Sequence, residues 1–493
     1  MDRFFRYATG CVLFLIYFIA YRGVLSHVIF YHEQHHLFLF SRFYFQQRLQ
    51  SEGLLSYLTD FVIQFFYYPV VGSAILAFLL AVVFVLSGTA LSMLTGKKDI
   101  LSLSVLPSMC LFFYTMSVDH SLSAVVGAVI FLLLVNLCLW WGVRFRRLPF
   151  SFLSRFHLPK GKMRLALWVL PMALYTGLGY YGFLRMYNIK ERIMLKSEQA
   201  VKEKDWGKVV EYTSRYLNSG RTNRLITYFH HLAQAHLGQL PYTLFDYPQL
   251  LGVKGLYFPW NSDSRESEYG HYLYEDLGYI NEAQRWEFEA MVVWGETAPH
   301  LLNLIRYNIV NNRPSVAQRF INKLKLSLFY ADEACRLEGL LQESSLLELK
   351  NALKDVEDIP ARFANVLNIG PELEYLCVHD PNNKMAFEYL MSYLLLGNQV
   401  VRFVGHLDWL KRYSYASLPP AYEEALYIYK LRVGEEEFAK TGFTVSPETE
   451  RRFVRYYQLV QNKQMKTLQE EFGHTYWFYL NYVSPYGNKV IVN

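Results

Sequence analysis

The chain has 493 residues and a net charge of +6, with 52% hydrophobic residues that include 39 tyrosines and 36 phenylalanines. One hydrophobic core rarely grows past about 250 residues, so two or three domains are expected. The charge is unevenly divided: residues 1–185 carry 15 Lys+Arg against 6 Asp+Glu, while the remaining 34 and 37 leave the rest at −3. A nucleic-acid binder would set its basic stripe on a folded domain, and that class is excluded.

The first predicted element is an apolar run at residues 7–21, which reaches across a bilayer only with its flanks. It lacks a small-x-small cleavage site and reads as a retained anchor. Next comes "FYHEQHHLF" at 30–38, in which His32, Glu33 and His36 spell H-E-x-x-H. On a helix that spacing sets two imidazoles on one face with a glutamate beside them, the zinc-and-base arrangement of a metallopeptidase. Asp119 or His120 would supply a third ligand, and zinc is the single cofactor this reading would add. The long apolar helix that usually presents the motif is missing, so interfacial histidines with structural or headgroup contacts are preferred.

Two amphipathic segments follow, "LFLFSRFYFQQRLQ" and "GLLSYLTDFVIQFF", and Tyr67, Tyr68 and Pro69 lead out of them. Segments of this kind lie along a bilayer interface, so residues 22–68 read as an interfacial external loop. An acidic residue in such a loop is also the layout of membrane-embedded lipid-linked sugar transferases. Glu33 would then be the catalytic base, with Asp60 or Asp119 assisting, although no paired Asp-x-Asp is present.

Residues 69–94, 121–143 and 165–184 contain no Asp, Glu, Lys, Arg or His and have the length needed to cross a hydrocarbon core. The serine-rich run 101–118, with Pro107 inside, is a weaker fifth candidate. With five spans, Arg3, Arg6, Lys97, Lys98 and the basic stretch 144–164 fall on one side, cytoplasmic by the positive-inside rule. An odd count then exports everything after residue 185. Transport is disfavoured because ion pathways need ionisable groups at membrane depth. Asn136 reads as a tie between helices.

From about residue 190 the apolar period is helical, with pairs turning at Asp205-Trp206-Gly207, Leu237-Gly238, Leu277-Gly278, Asn311-Asn312 and Leu396-Gly397. Steps near 34 residues match tetratricopeptide repeats, whose pairs cannot bury their apolar faces alone. Residues 240–270 break the pattern as a Pro, Gly and aromatic insertion packed over the concave face. A curved groove of this kind usually binds peptides or proteins. Cys11, Cys110 and Cys138 read as packing residues. Cys335 and Cys377 read as buried thiols, with a bridge left open.

"EQHHLFLFSRFYFQQRLQSEGLLSYLTDFVIQFFYYP" and "SYASLPPAYEEALYIY" resemble an uncharacterised family of polytopic inner-membrane proteins from Bacteroidota. The family's acidic-Gln pair matches Glu33-Gln34, and Ser51-Glu52-Gly53 stands where its members have Pro-Gly-Gly. The resemblance implies an inner-membrane protein of a Gram-negative envelope and carries over no catalytic residue.

The expected fold class is all-α: a transmembrane helix bundle of about five spans over residues 1–185, then an α-solenoid over 186–493. The expected protein is multi-pass in the inner membrane, with its helical-repeat domain in the periplasm. Its partners are the lipid bilayer and an envelope protein, with no nucleic acid, and homo-oligomerisation is left open. A non-enzymatic scaffold is preferred over the sugar transferase and the zinc metallopeptidase.

Overall fold

The computed structural model describes residues 3–95, 99, 102–144, 162–260, 263–341, 367–415 and 417–487. Lys97, Lys98 and most of the basic stretch 144–164, on which the charge argument leaned, lie outside the described residues. Among the described residues every regular element is helical. The chain forms two compact units: Met1–Leu195 with Glu296–Leu301 and Ile321–Arg336, and Lys196–Gly295 with Leu302–Phe320 and Leu337–Asn493.

The first unit contains α1 (Arg3–Arg22), α2 (Ser26–His35), α3 (Arg42–Ser51), α4 (Leu54–Ile63), α5 (Pro69–Thr95), α6 (Val105–Tyr114), α7 (Ser123–Arg144), α8 (Lys162–Met186) and the start of α9 (Ile189–Lys202). The count of five spans is corrected here. Pro69–Thr95 and Ser123–Gly142 are long and apolar enough to cross a membrane by themselves. Arg6–Arg22 and Ser26–His35 would make a third only as one broken segment, bent by 71°. The bend falls at Gly23-Val24-Leu25, where the Leu25 amide donates to the Ala20 carbonyl at 2.8 Å and Ser26 Oγ donates to the Gly23 carbonyl. The run 101–118 yields only the ten residues of α6, about 15 Å of helix. Residues 165–184 lie within α8, which contains Pro171.

The interior of this unit is closed by Tyr17, Tyr21, Leu76, Leu80 and Phe112, all buried. Two tyrosines thread their hydroxyls into it: Tyr17 pairs with Ser108 at 3.0 Å and Tyr21 with Thr115 at 2.6 Å. Buried phenols need such partners. Asn136 Nδ2 donates to the Leu86 carbonyl at 3.1 Å, tying α7 to α5. Gly72 permits the start of α5 to approach Phe66, because an added Cβ would lie 2.9 Å from the Phe66 Cα. The outer faces are apolar and bare: Ile19, Phe78, Phe131 and Leu170 are 59–68% exposed.

Polar contacts gather at opposite ends of α1. At its start, Arg6 Nη1 donates to Thr89 Oγ1 at 3.1 Å. Close by, Asp99 accepts from the amides of Leu103 and Ser104 and from Ser104 Oγ at 2.7 Å. Beyond its other end, Glu191 of α9 accepts from Ser117 Oγ at 3.2 Å and from the Val118 amide at 3.3 Å, with His27 Nε2 at 3.7 Å.

The second unit is built on one repeated corner. Lys204, Gly238, Gly278, Asn312, Asn398 and Lys463 each have positive φ, between 53° and 85°. At every one, the next amide reaches back to a carbonyl five residues earlier, as Gln239 does to Gln234 and Tyr279 to Tyr274, both at 2.8 Å. That bond pattern is the Schellman end of a helix. The corner near Leu396-Gly397 turns one residue later than expected, at Asn398. Trp206 stacks on His236 at 3.9 Å, and His236 pairs with Asp276 at 2.7 Å, joining the first helix pair to the second.

The unit departs from an open solenoid at its centre. Leu225–Ala235 and Ala386–Leu396 are buried at every position, the mark of helices surrounded on all faces. These two pack on each other, whereas a solenoid repeat touches only its neighbours. The insertion at 240–258 fills the space beside them: Phe245 packs on Tyr476 and Tyr479, and Gln249 Nε2 donates to His231 Nε2 at 3.1 Å. It belongs to the core and does not line an open groove. Cys335 is an exposed free thiol, contrary to expectation, because it falls on the outer side of Ala331–Gly339; Cys377 is free and buried.

Candidate functional site: the first loop and the segment docked on it

Residues 26–67 form a folded platform. Phe38, 3% exposed, is its centre, with the rings of Phe40, Tyr44, Tyr57 and Phe61 at 5.0–5.5 Å. Asp60 is buried beneath it, accepting from Tyr44 Oη at 2.9 Å and paired with Arg48 at 2.5 Å. Arg48 also pairs with Glu52. That wiring gives the buried Asp60 carboxylate a hydroxyl donor and a guanidinium partner.

The H-E-x-x-H motif is resolved by the end of α2. His36 is the residue that ends the helix, with extended backbone at φ −127° and ψ 136°, and its ring lies beside that of His32 with centroids 5.6 Å apart. His36 Nδ1 sits 2.8 Å from the His32 carbonyl, and His35 Nδ1 2.8 Å from the Tyr31 carbonyl. His120 does the same for α6, at 2.7 Å from the Tyr114 carbonyl, while stacked on the Tyr114 ring. A helix end leaves its last carbonyls without partners, and these three imidazoles supply them. His32 is 2% exposed, and neither ring nitrogen has a hydrogen-bond partner among the described residues. Asp119 is exposed. No group of three or more His, Cys, Asp or Glu suited to a metal ion occurs among the described residues. The zinc ligand set does not assemble.

Glu33 sits differently. Its Oε2 accepts from Gln34 Nε2, and its Oε1 accepts from the hydroxyl of Tyr330. Burial and then the Glu33 charge hold the Tyr330 phenol well above its usual range, so the phenol is the donor. Tyr330 arrives on a segment of the first unit from far along the chain. Phe40 N–H donates to the Leu326 carbonyl at 2.8 Å. The Phe329 ring stacks on Tyr67 at 5.2 Å and meets the edges of Phe65 and Tyr68. Glu33, His36 and Gln64 line a cleft under this segment. Its volume is about 10 Å³, room for one water and far short of a sugar.

Sequence reading singled out Glu33 and its neighbour Gln34 but missed Tyr330, Phe329 and Gln64. The signal for the first two was weak: "SLFYADEA" is a short apolar break between helices, with nothing to name its destination.

These features define an all-helical protein with an apolar N-terminal bundle, a folded first loop and a compact helical C-terminal unit. The chain belongs to a family of unknown function, DUF6057, whose model matches residues 3–187 and 149–483. No curated protein matches it. No solved structure matches it either.

Proposed function

We propose that this is an integral inner-membrane protein whose C-terminal helical unit lies in the periplasm and binds an envelope protein. The observation that carries the membrane reading is the bare apolar outer surface of α1, α5, α7 and α8, around an interior already closed by its own side chains. A soluble protein rarely exposes so large a patch, and hydrocarbon covers it without cost. The two polar layers support it further. The Arg6–Thr89 and Asp99–Ser104 contacts mark one end, and the Glu191 contacts mark the other. Among the described residues α5 and α7 are long and apolar enough to join these ends by themselves, and α1 with α2 adds a third passage as one broken segment. An odd number of passages sets the amino terminus and the second unit on different sides.

Partner binding is supported by the repeated corners and stacked helix pairs, an architecture used for protein recognition. The closed centre of the second unit moves the expected contact surface from an inner groove to the outer helix faces. The test has two parts. A periplasm-dependent reporter fused after Asn493 is expected to be active, and activity only of a cytosolic reporter would reverse the topology. Crosslinking in cells is expected to recover one dominant protein through the second unit, and a background-level pattern would count against recruitment.

A further inference from the structure

We propose that the cleft of Glu33, His36 and Gln64 binds a primary ammonium group, carried by a phospholipid headgroup or a small soluble amine. The inference rests on the membrane reading only for the lipid as source. Hydrogen-bond bookkeeping carries it. The carbonyl of His32 can only accept, so His36 Nδ1, 2.8 Å away, holds the ring proton. Nε2 is then the acceptor. Gln64 spends its Nε2 on the Phe61 carbonyl at 2.9 Å, and its buried Oε1 has no partner among the described residues. Glu33 offers carboxylate oxygens with lone pairs beyond those used by Tyr330 and Gln34. Three side chains therefore present acceptors, and the two hydroxyls that line the cleft are committed as donors, Tyr330 to Glu33 and Ser327 to the Leu324 carbonyl at 2.7 Å.

A primary ammonium supplies three N–H donors and a positive charge. It matches three acceptors and one carboxylate. Size agrees: the cleft of about 10 Å³ takes a water-sized group. A quaternary ammonium has no N–H and is several times larger, so it is excluded on both counts. Arg48, which acts electrostatically on His36, is already paired with Asp60 and Glu52. The setting suits a headgroup, because Phe40, Tyr67, Tyr68 and Leu328 are exposed around the cleft.

The test uses the full-length protein in nanodiscs of phosphatidylcholine with a minor fraction of phosphatidylethanolamine, and native mass spectrometry counts the retained lipids. Enrichment of phosphatidylethanolamine is expected. Glu33→Gln is expected to lower it by about tenfold or more, as loss of a charged hydrogen-bond partner implies. Gln64→Leu is expected to lower it less, and carries the test if the first variant does not fold. Ethanolamine titrated against the detergent-solubilised protein separates the sources. Enrichment that ethanolamine does not displace assigns the lipid, and ethanolamine binding lost in Glu33→Gln assigns a soluble amine. Equal retention of both lipids with no ethanolamine binding overturns the proposal, as does enrichment unchanged in both variants. A protein that stays in solution without detergent refutes the membrane reading instead, and the ethanolamine titration then still decides the cleft.

Discussion

The hydroxyl of Tyr330 donates to the carboxylate of Glu33 across 297 residues of chain. The bond fastens the segment around Phe329 to the first loop, so a residue chosen as a catalytic base serves at least as a structural acceptor. Tyr330→Phe removes the donor and leaves Glu33 short of a partner. The expected cost is about 1–3 kcal/mol, read as a lower Tm in detergent. Faster hydrogen exchange of the Phe40 amide, which bonds Leu326 at 2.8 Å, should accompany it. Unchanged exchange there would show that the segment is held by other contacts.

Glu191 gives a second prediction. It gathers Ser117, Val118 and His27 at the exit of α8. Glu191→Ala leaves buried donors unmatched, and a loss of roughly 2–3 kcal/mol is expected. Protection of the amides at 117–120 should fall while that of the helix containing Leu225–Ala235 stays the same. Uniform loss of protection over both units would contradict a local role.

The buried histidines of the second unit set a pH dependence. His231 Nδ1 donates to the Gly255 carbonyl at 3.0 Å, and its Nε2 receives the Gln249 amide. A second ring proton would point at a donor, and burial pushes the pKa down to about 4. Its neighbour His230, buried against Thr213 and Tyr247, is held at about 3. An unfolded histidine takes its proton near 6.5. The unfolded state therefore binds more protons between about pH 4 and 6.5, and stability falls as pH drops through that window. His231 contributes on the order of 3 kcal/mol over it. Glu424, raised to about 7 by burial despite Arg452 and the Tyr476 amide, acts in the opposite direction. The clean measurement is the difference: His231→Gln should lose part of the acid slope of the unfolding midpoint, and an identical slope would refute the assignment.

The repeated corner predicts substitutions of opposite sign. Gly278 sits at φ 85° and Lys204 at φ 55°. Gly278→Ala should cost about 1–2 kcal/mol, because a Cβ in the left-handed region meets the following carbonyl. Lys204→Gly relieves the same strain and should gain up to about 1 kcal/mol. Thermal unfolding of the two variants checks both, and shifts of the same sign would be inconsistent with this backbone account.

Helix ends were the most legible feature. Leu237-Gly238, Leu277-Gly278 and Asn311-Asn312 are read from adjacent residues, and the left-handed residue sits where the sequence puts it. The histidine motif was legible as spacing, and the structure keeps the rings of His32 and His36 5.6 Å apart. A third ligand beside such a pair has to come from elsewhere in the chain, and no group of three or more His, Cys, Asp or Glu suited to a metal ion gathers among the described residues. The span count failed for a different reason. Apolar composition does not give the length of the helix a segment forms, and the run 101–118 yields only the ten residues of α6.

The sequence by itself determined the all-helical character, the apolar bundle before residue 186, the corners of the helix pairs and the prominence of Glu33-Gln34. Each is written within a few neighbouring residues, as periodicity or as a residue that tolerates positive φ. Only the tertiary structure decided that Tyr330 meets Glu33, that α1 and α2 bend by 71°, and that two helices far apart in sequence share one core. Such pairings are fixed by which surfaces exclude the most water together, a property of the whole packed chain that no local pattern encodes.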